Sequence, residues 1–345
     1  MYALIPLVEK NKDQLDWVRI SQNPNMMFLL EKYPDKINWD GLSRNPSQSA
    51  VHLLKKHIDK IDWYSLASNL NPDAIALLEK NIDKIEPNVW DCLSGNINAM
   101  PLLEKNIDKI DWYMLSENPN AIHLLEQNID KINWVNLSEN PNAIHLLEQN
   151  QDKIDWDILS SNPNAISILE KNQDKINWDI LSENKNAIDL LEKNQDKIDW
   201  VVLSGNPNAI PLLEQNQDKI CWFMLSYNEN AMHLIERNSD KGDIDWIWLS
   251  TVPKAIHLLE RNIDKINWTY LSDNYNAIPL LEKYPQNIDW YWISENPSII
   301  TYDYIGLKER MNILREPLMM AVFHPKRFER YLDMGYDIGD DEYFE

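Results

Sequence analysis

Cysteine, glycine and phenylalanine are scarce in this chain of 345 residues, with two, seven and five copies respectively. Two thiols, Cys92 and Cys221, cannot supply a disulfide framework, and a reducing compartment fits. So little glycine disfavours Gly-rich turns and an all-β propeller. Positive charge is also in deficit: 33 Lys and Arg stand against 55 Asp and Glu, for a net charge of −22 and a pI near 4.7. That balance opposes general binding to DNA or RNA, which needs a basic face, and docking on an anionic membrane. It suits a solvated acidic surface, a basic partner or nucleic-acid mimicry. No apolar run approaches membrane-spanning length. The first ten residues, Met1 to Lys10, are too short and too soon acidic for a signal peptide.

What the chain does have is tryptophan, in register. Trp17, Trp39, Trp63, Trp90, Trp112, Trp134, Trp156, Trp178, Trp200, Trp222, Trp246, Trp268 and Trp290 head thirteen units. From Trp90 to Trp222 every step is 22 residues; Trp39 to Trp63 and Trp222 to Trp246 are 24, and Trp63 to Trp90 is 27. A fixed period of this size marks a solenoid, in which each unit buries its apolar face only against its neighbours. With 44% hydrophobic residues there is enough to build a continuous core.

One unit runs from Ile110 to Lys131. Asn118-Pro119 looks like a helix start, with Asn capping and Pro at the first helical position. The spacing of Ala121, Ile122, Leu124 and Leu125 predicts a helix B over Pro119 to Gln127, ended by Asn128 in a left-handed cap. Trp112 and Leu115 are three apart, which places them on one face of a helix but on opposite faces of a strand. A short helix A therefore follows Asp111. The competing reading is a leucine-rich-repeat horseshoe, since Leu-Ser-x-Asn resembles that family's strand end. Asp157 and Asp179, two residues before the leucine, do not suit a buried strand. The expected fold is all-α, a solenoid of helix-turn-helix units. At roughly 10 Å per layer, thirteen layers would extend about 130 Å, or less if tightly wound.

The array is expected to occupy residues 1–298, and a helical cap with a short acidic tail residues 299–345. Ile5 to Asn11 matches a helix B that lacks its helix A. The layer under Leu4, Leu7 and Val8 is then open, and an open apolar face invites a partner or a second copy in a two-fold dimer. The alternative is that Met1, Tyr2 and Leu4 fold over it. In the cap, Lys308, Arg310, Arg315, Lys326, Arg327 and Arg330 exceed their acidic neighbours by three charges. They form a candidate docking patch for an acidic surface or phosphate, against ordinary helix charge paired with the repeats.

The unit Trp-x-x-Leu-Ser-x-Asn-Pro-Asn-Ala-Ile-x-Leu-Leu-Glu-x-Asn resembles short tandem-repeat proteins of large DNA viruses of amoebae, over nearly the whole chain. His324 to Leu332 is similar to the tail of such proteins. The resemblance implies a viral protein at work in host cytoplasm, viral factory or virion, and supplies no catalytic residues. The residues point the same way. His52, His123, His145, His233 and His257 share one column but sit about a layer apart, too far to share a metal. The glutamate ladder from Glu104 to Glu214 makes every rung alike, unlike a catalytic pair of carboxylates. Trp112, Trp134, Trp156, Trp178 and Trp200 read as structural core, and the asparagine column, broken only at Val252, as helix caps. No catalytic, cofactor or metal site is expected. The function expected is a non-enzymatic scaffold for a protein partner or for viral structure; the alternative is an acidic decoy for a basic protein.

Overall fold

A computed structural model describes residues 2–240 and 243–303, with residues 307–309, 311–313 and the single positions 315, 317, 320 and 326 beyond them. Among these, most repeats are a pair of short helices closed by a turn of 3-10 helix; the tenth has no such turn after Met232–Arg237, and in the thirteenth a 3-10 turn, Pro297–Ile299, stands in place of helix B. In the fifth repeat helix A is Trp112–Glu117, helix B is Ile122–Glu126, and the closing turn is Ile129–Lys131. Helix A forms because Asp111 caps it: its carboxylate accepts from the Met114 amide at 2.8 Å. Asn133, Asp155 and Asn177 do the same in the repeats that follow. The Trp half is thus helical throughout, and the fold is an all-α solenoid rather than a horseshoe.

Two expectations about asparagine need correction. Helix B starts later than Asn118-Pro119 predicts, because residues 118–121 form a turn ahead of Ile122. The Asn118 side chain is buried and serves two directions at once. Its Oδ1 accepts from the Asn120 amide at 3.0 Å, and its Nδ2 donates to the carbonyls of Ser94 and Asn96 in the preceding repeat, at 3.1 and 3.2 Å. The column is therefore a ladder that joins repeats. Capping in the usual sense occurs at Ser47 and Asn71, which open the longer helices Gln48–Lys56 and Pro72–Lys80. At the other end, Asn128 is not left-handed (φ −134°, ψ 49°); its amide instead donates to Leu124 O at 2.9 Å, serving a carbonyl that helix B leaves without a partner.

Serine makes the second joint. Ser116 Oγ donates to Trp112 O within its own helix and accepts from the Asn133 amide of the next repeat. Leu115, Ala121, Leu124 and Leu125, each at most 3% exposed, fill the space between layers, as do their equivalents in the other repeats. The tryptophans stand outside this core. Trp112, Trp134, Trp156, Trp178 and Trp200 are half-buried, and Trp90 alone of the anchors is fully buried. An indole at the head of a short helix reaches the surface, and the lysine of the same repeat's closing turn covers it: Lys131 lies 4.6 Å from the Trp112 ring, and Lys219 4.2 Å from Trp200.

The ladder does not stop at the ends of the array. The Asp16 amide donates to Ser294 Oγ at 2.9 Å, the bond that Asn38 makes to Ser21 one repeat later. Asn23 Nδ2 reaches the carbonyls of Ser294 and Glu295 at 3.4 and 3.1 Å. Arg19 bonds the Glu295 carboxylate and the Tyr291 hydroxyl. The first and thirteenth repeats are neighbours, so the unit Asn11–Ser298 is a closed ring. The length of about 130 Å expected for a stack at about 10 Å per layer is a circumference, which gives a radius near 20 Å. From the first to the tenth repeat consecutive A helices pack directly on one another, whereas most consecutive B helices do not. The A row is thus the shorter, inner one.

Residues Met1–Lys10 and Ile299–Glu345 form a separate unit. In it, strand β1 (Tyr2–Leu4) pairs antiparallel with strand β2 (Ile300–Tyr302), and the Ile5 amide donates to Ile299 O at 2.8 Å. This corrects the expectation of an open N-terminal face. Leu4 and Val8 are buried and Leu7 is half-buried, so they present no free layer to a second copy. The backbone of residues 2–4 is satisfied by a strand that the sequence pattern did not reveal.

Candidate interaction surface

Each A helix turns the first and fifth residues after its tryptophan away from the core; the second is half-buried in most repeats, buried at Gly41, Ser65 and Asn136, and exposed at Trp248 and Tyr270. The first is the most open, with Tyr113 56%, Val135 49% and Val201 54% exposed. The Ser and Asn ladders use none of these side chains, and their chemistry changes round the ring. Repeats seven and eight carry Asp157 and Asp179, whereas repeats ten to thirteen carry aromatic side chains. Phe223 lies 5.6 Å from Tyr227, Tyr227 stacks on Trp248 at 4.7 Å, and Tyr270 lies 5.8 Å from Trp292. Phe223, Tyr227, Ile247, Trp248, Tyr270 and Tyr291 are all exposed. An apolar arc spanning four layers is the kind of surface that marks a contact site.

At the seam one end of this arc already holds a cation. The Arg19 guanidinium lies 4.2 Å from the Tyr291 ring and 5.4 Å from the Trp292 ring while bonded to Glu295. Its pKa shifts up, held by those bonds against desolvation. Asp273, half-buried in the fifth column of the preceding repeat, is pushed above the ordinary carboxylate range, first by burial and then by the charge of Glu295.

The other end opens into a cavity of about 440 Å³ between repeats ten and eleven, lined by Ser226, Tyr227, Glu229, Trp248 and Val252 among others. It lies where the ladder breaks. In the next repeat Asn274 donates to Ser250 O at 3.0 Å. Val252 has no side-chain amide, so the Ser226 carbonyl lacks the bond its equivalents receive. Tyr227 is anchored from behind, its hydroxyl donating to Asp245 at 2.8 Å, which raises its pKa.

The remaining sequence-derived candidates fall elsewhere. Lys308, Arg315 and Lys326 are exposed, but Arg310, Arg327 and Arg330 lie outside the described residues. The histidine column lies on the B helices, and three of its rings stand beside a glutamate of the preceding repeat: His123 to Glu104 at 2.7 Å, His145 to Glu126 at 2.5 Å, His233 to Glu214 at 3.2 Å. Lys171 and Lys193 stand 3.9 Å from Glu148 and Glu170 in the same ladder. Cys92 and Cys221 are free and half-buried. No described helix is long and apolar enough to cross a membrane. The aromatic arc was not singled out from the sequence. Its residues lie in columns that vary freely, and only alignment of the repeats on their tryptophans shows that aromatics gather in the last four. In the comparisons with known proteins, no protein-family model, no curated protein and no solved structure matches the chain.

Proposed function

We propose that the ring is a non-enzymatic scaffold that holds a protein partner on its inner, A-helix surface. One observation carries the reading: the columns that join the repeats repeat the same Ser, Asn and Leu almost without change, while the exposed A columns range from Asp157 to Phe223. A rigid frame with freely varied outward positions is how repeat proteins present binding surfaces. The acidic-decoy reading has less support, because much of the glutamate ladder is paired with histidine or lysine of the next repeat. The test is capture of a partner from extracts of the native host with three proteins. These are the unaltered chain, a variant with Tyr113→Glu, Val135→Glu and Val201→Glu on the A surface, and one with Lys171→Glu and Lys193→Glu on the outer ladder. A partner kept by the first and third and lost by the second, with melting curves unchanged, supports the reading. Equal capture by all three overturns it.

A further inference from the structure

The cavity at the broken joint presents acceptors and π-faces together. It has the Ser226 carbonyl without its ladder amide, the Glu229 carboxylate, and Trp248 stacked on Tyr227. At the seam Trp292, in the same column as Trp248, helps Tyr291 and the Glu295 carboxylate to hold an arginine. A guanidinium is the group that complements such a set: it is planar, donates only, and stacks on aromatic faces. Lys185 is also among the lining residues, so the cavity is not purely acidic. The chain as a whole carries −22 and would draw a basic partner by its field.

We propose that the cavity between repeats ten and eleven binds an arginine side chain of a basic, extended peptide segment. This deepens the scaffold reading and rests on it. Trp248 supplies the stacking face, and Glu229 and the Ser226 carbonyl take the guanidinium donors. The segment continues along the arc toward repeats twelve and thirteen, where Asp273 follows Tyr270 by three residues and lies near Glu295 and Arg19. Two layers at about 10 Å each correspond to about six residues of extended chain at about 3.3 Å per residue. A second arginine at that separation meets Asp273.

The probe is a fluorescein-labelled, otherwise neutral peptide with two arginines six residues apart, titrated by anisotropy at about 0.15 M salt to suppress diffuse attraction. Controls are the same peptide with citrulline for arginine and a single-stranded oligonucleotide of equal length. Saturable binding of the arginine peptide alone is expected, weakened at least tenfold by Trp248→Ala. Val252→Asn is the decisive variant. Its new amide fills the Ser226 carbonyl, so it should abolish binding while the melting temperature holds or rises, which separates loss of the site from loss of the fold. Asp273→Asn should weaken the two-arginine peptide several-fold and leave a one-arginine peptide unaffected. Equal affinity for the citrulline peptide, or full affinity in both Trp248→Ala and Val252→Asn, overturns the proposal. Preference for the oligonucleotide does so as well. Partner capture that survives Val252→Asn but is lost with the repeat-five, -six and -nine variant would leave the scaffold reading standing without this site.

Discussion

A single amide decides more at each joint than the large aromatic that announces the repeat. Asn140 is 1% exposed and donates to Ser116 O at 3.0 Å and Asn118 O at 3.1 Å. Truncation strands two carbonyls, and an unsatisfied buried group costs about 1–3 kcal/mol. Asn140→Ala should therefore lower stability by at least about 2 kcal/mol in chemical denaturation. Trp134→Ala should cost about 2–3 kcal/mol, below the 3–5 kcal/mol of a fully buried aromatic, because Trp134 is half-buried beneath Lys153. Leu137→Ala, at a site with no exposure, should cost at least as much as Trp134→Ala. A larger loss at Trp134 than at Leu137 would return the tryptophan to the core. Asp273 adds a pH signature. Its folded-state pKa is raised by burial and by Glu295. A raised carboxylate pKa means the folded state binds the proton more tightly, so stability falls as pH rises through the window above the ordinary carboxylate range. Asp273→Asn should then be more stable than the unaltered chain at pH 7, and the gain should vanish below that window. A gain independent of pH would point to packing instead.

Among elements, the tight inner row of A helices constrains backbone as well as side chains. A Cβ on Gly41 would lie 2.8 Å from Val18 O in the preceding helix A. Backbone rather than a flexible side chain blocks it, so Gly41→Ala should destabilise by about 1–3 kcal/mol, although alanine is the better helix former. Gly205, where a Cβ would meet nothing closer than 3.5 Å, is the control and should tolerate alanine. Two of the three sequence insertions also act at this scale. Between Trp63 and Trp90 the joint serine is replaced by Ala67, and helix A of the next repeat starts at Val89 behind an Asn88 that makes no side-chain cap bond. The acceptor is gone, and the amide it would serve, that of Val89, donates to Glu86 O at 3.0 Å instead. Beyond the 24-residue step to Trp246, Val252 removes the asparagine, and there the cavity opens.

For the ring as a whole, closure changes what the first repeat is worth. In an open array Asn23 would face no preceding repeat, and Asn23→Ala would cost little. In the ring it bonds Ser294 O and Glu295 O, so the loss should approach that of Asn140→Ala. A near-zero cost would show that the seam is open. Spin labels at the exposed positions Val18 and Tyr291 give an independent measure. They should report a separation near one helix spacing, about 10 Å plus the label arms, instead of the roughly 100 Å of an extended stack. Closure also couples distant repeats, since opening any joint strains the seam. Unfolding should therefore be more cooperative than the repeat-by-repeat behaviour of a linear solenoid.

The thirteen units, their helical character and the burial of the leucine pairs were legible in the sequence, because a local period and local caps such as Asp111 act within one unit. The absence of a disulfide framework was equally plain from Cys92 and Cys221. The work of Asn118 and Ser116 was not legible. An asparagine before proline looks like a cap from within its own unit, and only the neighbouring layer shows that its amide points backward. Closure lay further out of reach. It depends on a small curvature repeated at every joint until Asp16 meets Ser294, a sum over all thirteen layers that no single unit encodes. For the same reason Leu4 and Val8 read as an open end: the strand that pairs with residues 2–4 comes from the far end of the chain, after the full circuit. The aromatic arc is intermediate. Its residues are visible in the sequence, but only the layer spacing sets Tyr227 against Trp248 and places both beside the gap left by Val252.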